Sequence, residues 1–237
     1  PKGVLIRHKE FASSVIALHE SFEFKIVNSN SVHLSYLPLP HMMEQVAMSS
    51  HILMGACSGF LTESIDGLLD DAHILRPTLL AIVPRVLSRL YTKYQGALGD
   101  SVVKNTESID GLLDDAHLLR PTSLVVVPRV LSRMYTKYQS ALGDSVAKKQ
   151  LYNYIVKKKL AEQKRGKFHH RSVVDTILFG KLRNKFGGRV CCVVSGSAPL
   201  SPELSKFAHA VFNLVFEGYG TTETMGGVTL SPIGEYR

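Results

Sequence analysis

Two segments, Ser195-Gly196-Ser197-Ala198-Pro199 and Glu217-Gly218-Tyr219-Gly220-Thr221-Thr222-Glu223, bring carboxylates, hydroxyls and an aromatic ring beside glycines. Glycine lets a backbone approach a phosphate and take up dihedrals that other residues avoid. Threonine hydroxyls donate to phosphate oxygens, and Mg²⁺ takes hard oxygen ligands, commonly a carboxylate with waters and substrate phosphates. A ring such as Tyr219 gives a base a face to stack on. A nucleoside triphosphate with its metal asks for these parts. Either segment alone reads equally well as a tight turn without function; the two together favour a site.

The flanking residues say what positions these segments. Arg189-Val190-Cys191-Cys192-Val193-Val194 has the length and β-branching of a buried strand, and Ser195-Gly196 follows it directly. Ser201 then caps a predicted helix with Pro202 at its first position. Asn213 to Glu217 reads as the next strand. Both strands are expected to end in Gly-rich turns, and in open α/β sheets ligands bind beyond the carboxyl ends of strands. Upstream, the pattern predicts a helix over Lys9 to Phe24, a strand over Val32 to Leu37, a helix over His41 to Met54 and a short strand over Cys57 to Leu61. A further helix is predicted over Ser172 to Phe186. Alternating strands and helices imply an α/β fold, mostly parallel, with flanking helices.

Composition fits one substantial core: 237 residues, 45% hydrophobic. No apolar run approaches the roughly 20 residues of a transmembrane helix. The three cysteines do not make a disulfide framework, which suits a reducing compartment; Cys191 and Cys192 read as small apolar residues on opposite faces of a strand. Charge is concentrated. From Lys148 to Arg171 there are nine Lys or Arg and one acid, Glu162, a balance equal to the net charge of +8. Leu151, Tyr152, Ile155, Val156 and Leu160 recur at helical spacing, giving a basic amphipathic helix. A solvated face and attraction to an anionic membrane surface or to CoA phosphates are the readings it supports. Nucleic acid is not expected, because no reading module accompanies the charge. His169-His170 lacks metal-ligand company.

An internal repeat at an offset of 44 residues interrupts the pattern. Residues 62–104 match residues 106–148 at 36 of 43 positions, the exceptions being 74, 79, 81, 82, 90, 96 and 103. Each copy reads as a helix (Ser64 to Leu75, Ser108 to Leu119), a Pro-Thr turn, a strand and a helix opened by Pro-Arg. Two copies are too few for a solenoid; duplication of one exon, or the joining of two alternative ones, fits better. Only Leu79/Ser123 changes polarity, so both copies keep one buried pattern. The expectation is that a single copy fills the native slot, the second by preference because Val125-Val126-Val127 suits a strand, while the other adds an edge strand or packs outside.

Ser195 to Pro199, Glu217 to Glu223, Tyr36-Leu37-Pro38-Leu39-Pro40-His41, Arg120-Pro121-Thr122 through Val127-Pro128-Arg129, and Pro1-Lys2-Gly3-Val4 together resemble the adenylate-forming (AMP-binding) enzymes, and among them the long-chain fatty acyl-CoA synthetases. The blocks run in the family's order over almost the whole chain apart from one repeat, a unit that family members carry once. The resemblance implies a partial adenylation domain over residues 1–237, with most of the phosphate loop before Pro1 and a small C-terminal domain after Arg237 missing, and hence a fragment inactive by itself. It implies ATP, Mg²⁺ and CoA, with a long-chain fatty acid as the other substrate. Thr222 would hold the α-phosphate and Glu223 the metal. Tyr219 and the Gly196, Ser197, Ala198, Pro199 turn would hold the adenine, alongside Glu217, Gly218, Gly220 and Thr221. His41 would lie near the acyl carboxylate, and Lys2 and Gly3 near the β- and γ-phosphates. Tyr91 and Tyr135 are candidate acyl-tunnel gates, with an ordinary core tyrosine the alternative. An intracellular, membrane-associated location is implied, at the endoplasmic reticulum, mitochondrial outer membrane or peroxisome.

Two other classes compete. Gly55-Ala56-Cys57-Ser58-Gly59 matches a nucleophile elbow with cysteine at its centre, as in an α/β hydrolase, though no His-and-acid set accompanies it. A non-catalytic fragment that docks through the basic helix is the other.

Overall fold

The structure is a computed structural model and describes residues 3–21, 27–62, 67–81, 120–168 and 172–234. Lys2, Tyr91, His169-His170 and the segments 82–119 and 235–237 lie outside the described residues.

Seven strands form one sheet in the order β2-β1-β3-β4-β5-β6-β7. They are β1 (Val32–Ser35), β2 (Cys57–Phe60), β3 (Leu79–Ala81), β4 (Ser123–Val126), β5 (Cys192–Ser195), β6 (Leu214–Thr221) and β7 (Gly226–Leu230). Every neighbouring pair is parallel except β6 and β7, so the α/β expectation holds. The described helices are α1 (His8–Ser21), α2 (Met42–Leu53), α3 (Leu68–Leu75), α4 (Pro128–Leu142), α5 (Val146–Gln163), α6 (Val173–Asn184) and α7 (Pro202–Phe212).

Local chemistry sets the helix starts. Ser145, Ser172 and Ser201 each accept a backbone N–H of the first turn, and Pro128 and Pro202 stand where a missing N–H costs nothing. The main core lies between the sheet and α4 to α7, where Phe179, Phe186, Phe207 and Phe212 are at most 1% exposed. Tyr135 belongs there: its ring centroid is 5.1 Å from that of Phe207, and the Tyr138 ring is 5.5 Å from the same residue.

The two repeat copies do not compete for one slot. Both insert strands into the interior of the sheet, side by side: Leu79 pairs with Ser123, Leu80 with Leu124 and Ala81 with Val125. Each pair is separated by the repeat offset of 44, so equivalent residues face each other in register. Thr78 and Thr122 continue this, since Thr78 bonds to Val32 and Thr122 bonds to Thr78. The expected edge or external position for one copy is therefore corrected. A strand in a parallel sheet offers the same donors and acceptors on each edge as its neighbour does, so a duplicate fits beside its original. Ser123, the one polarity change, is buried at the first position of β4, 5% exposed.

Two further corrections concern α5 and β2. Leu151 is 41% exposed, whereas Lys159 is buried. Lys159 Nζ lies 2.6 Å from Asp175 Oδ1, and Arg183 Nη2 lies 2.7 Å from Asp175 Oδ2, which ties α5 to α6. Burial by itself would raise the Asp175 carboxyl, but hydrogen bonds from Arg183 and Lys159, with their charges, outweigh it and hold the group below its usual range. Cys57 is exposed and opens β2 immediately after α2, at one edge of the sheet. An elbow needs a strand running into a helix; here helix precedes strand, and the hydrolase reading falls.

Candidate functional site

The carboxyl ends of β5 and β6 lie next to each other, with Ser195 paired to Glu217. Gly196 N donates to Val126 O at 3.3 Å, and Ser197 takes a positive φ of 73°. Ser197, Ala198 and Pro199 are exposed before the chain enters α7 at its Ser201 cap. Leu200 N donates to Glu217 Oε2 at 3.1 Å, while Glu217 N donates to Ser231 Oγ at 2.8 Å. One carboxylate thus stitches the two motifs into a single crevice. Beneath it, the Ser195 hydroxyl is buried and makes no hydrogen bond among the described residues.

Beyond Glu217 the strand continues, contrary to the expected turn. Gly218, Tyr219, Gly220 and Thr221 extend β6 and pair with β7 as a hairpin. Gly220 passes so close to its partner that an added Cβ would stand 1.6 Å from Gly226 O. Glycine serves backbone approach here and not a bend. The actual turn is Thr222 to Met225. Thr221 N donates to Thr224 Oγ1 at 2.9 Å, Thr224 Oγ1 donates back to Thr221 O at 3.1 Å, and Met225 N donates to Thr222 O at 3.2 Å. This lifts Thr222 and Glu223 into solvent, and Tyr219 is 64% exposed beside them on the strand.

The turn rests on α1 and α2. Met225 is buried with Met42 and Val46, against Ile6, Phe11 and Leu18. Ser14 Oγ donates to Met225 O at 3.0 Å. A cleft of about 410 Å³ opens between Arg7, Lys9, Glu10, Ser13 and Ser14 on one side and Glu223, Thr224 and Met225 on the other. Arg7 Nε donates to Glu10 at 2.7 Å, which lowers the Glu10 carboxyl. Arg7, Lys9, Ser13 and Ser14 were not singled out from sequence; two cations within six residues of Pro1-Lys2-Gly3 were the available signal. Gly3 is exposed with open space about it.

His41 caps α2, its Nδ1 accepting Met43 N at 3.2 Å, and is itself exposed. The neighbouring Met42 reaches the Met225 cluster, so the structure brings the His41 loop and the Glu223 turn to one apolar seam. Under α2, Glu44 accepts His33 Nε2 at 2.8 Å, and Ser35 and the Leu37 amide also bond to it. Burial would raise this carboxyl; those bonds and the His33 ring outweigh it and lower it. They also fix the Leu37 to His41 connection.

A parallel sheet whose adjacent strand ends carry a stitched, hydroxyl-rich crevice and a carboxylate-bearing turn is an open α/β domain with a candidate ligand site at its carboxyl edge. The AMP-binding enzyme family profile matches residues 1–237, and the chain belongs to that family. It is 30% identical over 238 residues to long-chain-fatty-acid–CoA ligase 1 of Cavia porcellus, covering 100% of this chain and 28% of that protein. It is 32% identical over 236 residues to long chain acyl-CoA synthetase 1 of Arabidopsis thaliana, covering 97% of this chain and 29% of that one. Less than a third of these relatives' length is spanned. Among solved structures, the A-PCP didomain of carboxylic acid reductase from Segniliparus rugosus in complex with AMP has a TM-score of 0.50 at 22% identity, over 97% of this chain and 23% of that one, a likeness of fold.

Proposed function

We propose that the chain is part of a long-chain fatty acid–CoA ligase. In the first step a fatty carboxylate oxygen attacks the α-phosphorus of ATP, the bond to pyrophosphate breaks, and an acyl-adenylate forms. In the second the CoA thiolate attacks the acyl carbon and AMP leaves. The observation that carries this reading is the Leu200–Glu217 stitch, which makes one crevice of the two motifs; the relatives' names supply the substrate class.

In this reading the Gly196, Ser197, Ala198, Pro199 loop and the Tyr219 ring flank the adenine. Glu217 holds the two sides together, and Gly218 and Gly220 let β7 pack against the strand that carries Tyr219. Thr221 and Thr222 face the phosphates, and Lys2 and Gly3 approach the terminal ones. Arg7 and Lys9 add positive potential where the transition state gathers negative charge, which is the protein's main lever in this chemistry. His41 orients the acyl carboxylate. For Tyr135 to act as a gate, alone or with Tyr91, its contact with Phe207 must open.

The donor set suits Mg²⁺. Among the described residues no group of three or more His, Cys, Asp or Glu is placed to hold a metal by itself, and the cleft offers Glu223, hydroxyl oxygens and a second carboxylate, Glu10, that is already paired with Arg7. Mg²⁺ prefers one or two carboxylates plus water and substrate phosphate. When bound there it neutralises phosphate charge.

No helix among the described residues is long and apolar enough to cross a membrane. Membrane association, where the relatives' substrates partition, falls to the solvent face of α5, where Lys157 and Lys158 lie beside exposed Leu151 and Tyr154. Intracellular placement follows the same reading.

The test is Glu223→Ala in a protein carrying the relatives' full length. Pyrophosphate release should be abolished with circular dichroism unchanged, since Glu223 is exposed on a turn. Near-normal release refutes the assignment.

A further inference from the structure

The turn that carries Glu223 is closed locally by its threonine cap and the Met225 N to Thr222 O bond, and it is held at its far end by a residue 211 positions away. Ser14, half-buried on α1, donates through Oγ to Met225 O at 3.0 Å. Met225 closes the turn in the left-handed region, at φ 63°, a conformation a non-glycine residue holds only when its surroundings demand it. Two things demand it: the Ser14 bond to its carbonyl, and burial of its side chain at 4% exposure between α1 and α2. The next residue, Gly226, sits with its Cα close enough to α2 that an added Cβ would touch Val46 at 3.4 Å.

We propose that Ser14 is a positioning residue for the Glu223 turn, fixing the carboxylate's place relative to α1 and therefore to the phosphate-binding segment that leads into α1. The inference rests on Glu223 being a metal ligand for bound nucleotide, and deepens that reading. Ser14 lines the same cleft as Glu223, but its hydroxyl proton is committed to the Met225 carbonyl. Its effect on the metal is through the turn. A serine inside a helix ordinarily bonds back to a carbonyl of its own helix; Ser14 instead bonds across to the hairpin. That choice couples two elements that chain connectivity leaves apart.

The experiment compares a protein carrying the relatives' full length with its Ser14→Ala, Ser14→Thr and Glu223→Ala variants, using two readouts. Amide hydrogen exchange reports whether the 222–226 turn is held. Electron paramagnetic resonance of Mn²⁺ with ATP reports metal and nucleotide affinity and the symmetry of the metal's surroundings. Loss of one hydrogen bond predicts turn amides exchanging roughly five-fold faster in Ser14→Ala, and Mn²⁺·ATP bound weaker by a similar factor. Exchange elsewhere should be unchanged, and Ser14→Thr, which keeps the hydroxyl, should retain both properties. Unchanged turn exchange in Ser14→Ala overturns the proposal. Faster exchange with Mn²⁺·ATP affinity intact, while Glu223→Ala weakens it, also overturns it and leaves Ser14 a merely structural residue. Failure of Glu223→Ala to weaken Mn²⁺·ATP, or no binding by the unsubstituted chain, instead overturns the metal reading, and the positioning role with it; the exchange data separate the two failures.

Discussion

Replacing Asp175 by asparagine removes the carboxylate that two buried cations share. Lys159 and Arg183 side chains are 6% and 5% exposed, and Asp175 itself is 1% exposed. Its two oxygens take Lys159 Nζ at 2.6 Å and Arg183 Nη2 at 2.7 Å. Breaking a buried pair by deleting one partner costs about 3–5 kcal/mol, because the remaining charge stays desolvated. The lower half of that range applies. Arg183 keeps the carbonyls of Asp175 and Val211, at 3.3 Å each. About 3 kcal/mol is a fifth to more than half of the roughly 5–15 kcal/mol by which domains are stable. Urea unfolding of the 237-residue chain, followed by circular dichroism at pH 7, measures it. The control is the triple apolar variant Lys159→Met, Asp175→Leu, Arg183→Met, which should cost far less than Asp175→Asn and can equal the native chain. The pH dependence carries its own sign. A carboxyl held below its unfolded value stabilises the fold above that value, about 3.8, and the contribution is lost as pH falls through the lower folded pKa. The advantage of the native chain over Asp175→Asn should therefore be full at pH 7 and shrink below about pH 4. A difference under about 1 kcal/mol at pH 7, or one that grows with acid, refutes the reasoning.

Gly220→Ala would place a methyl 1.6 Å from Gly226 O, so the hairpin must part. The expected result is faster hydrogen exchange across β7 and weaker binding of Mn²⁺·ATP, whereas Gly3→Ala, which meets nothing within 4 Å, should leave exchange unchanged. Burial pushes His209 down to about 4, so unfolding gains protons first as pH drops from about 6.5; roughly 3 kcal/mol should be lost between pH 6.5 and 4, and His209→Gln should flatten that slope in urea titrations. Excising Thr62 to Asn105 joins Leu61 to Thr106 and leaves Thr122 to take the place of Thr78 beside β1. That shorter chain should remain folded, with cooperative thermal unfolding by circular dichroism; loss of cooperativity would show that the two strands are not interchangeable.

Elements whose ends are set by local chemistry were legible from the residues. His41 and Met54 bracket α2 as cap residues, and Ser172, Ser201 and Pro202 mark helix starts where the sequence places them. The strand after Asn213 was found but ended too early, because glycines in Glu217 to Glu223 look alike whether they bend the chain or admit a neighbouring strand. Only β7, arriving later, decides between these. Lys159 was counted with the basic face although it follows Ile155 by four positions and Val156 by three, on the buried side. Its partner Asp175 belongs to another helix, and no pattern within α5 announces it. The site followed the same division. Thr222, Glu223 and Tyr219 stand out by type, while Ser14 enters only through a contact across 211 residues.

The register of β3 against β4 has a geometric consequence for the crevice. The duplicated unit enters and leaves the sheet with the same polarity, so β1 and β5 each meet the hydrogen-bonding edge they would meet in a sheet with one copy. What changes is span. Parallel neighbours lie about 4.8 Å apart, and the extra strand sits between the side that leads to His41 and the side that leads to Ser195. The duplication acts as a spacer at the centre of the sheet, lengthening the baseline between the two segments while leaving the residues of each untouched.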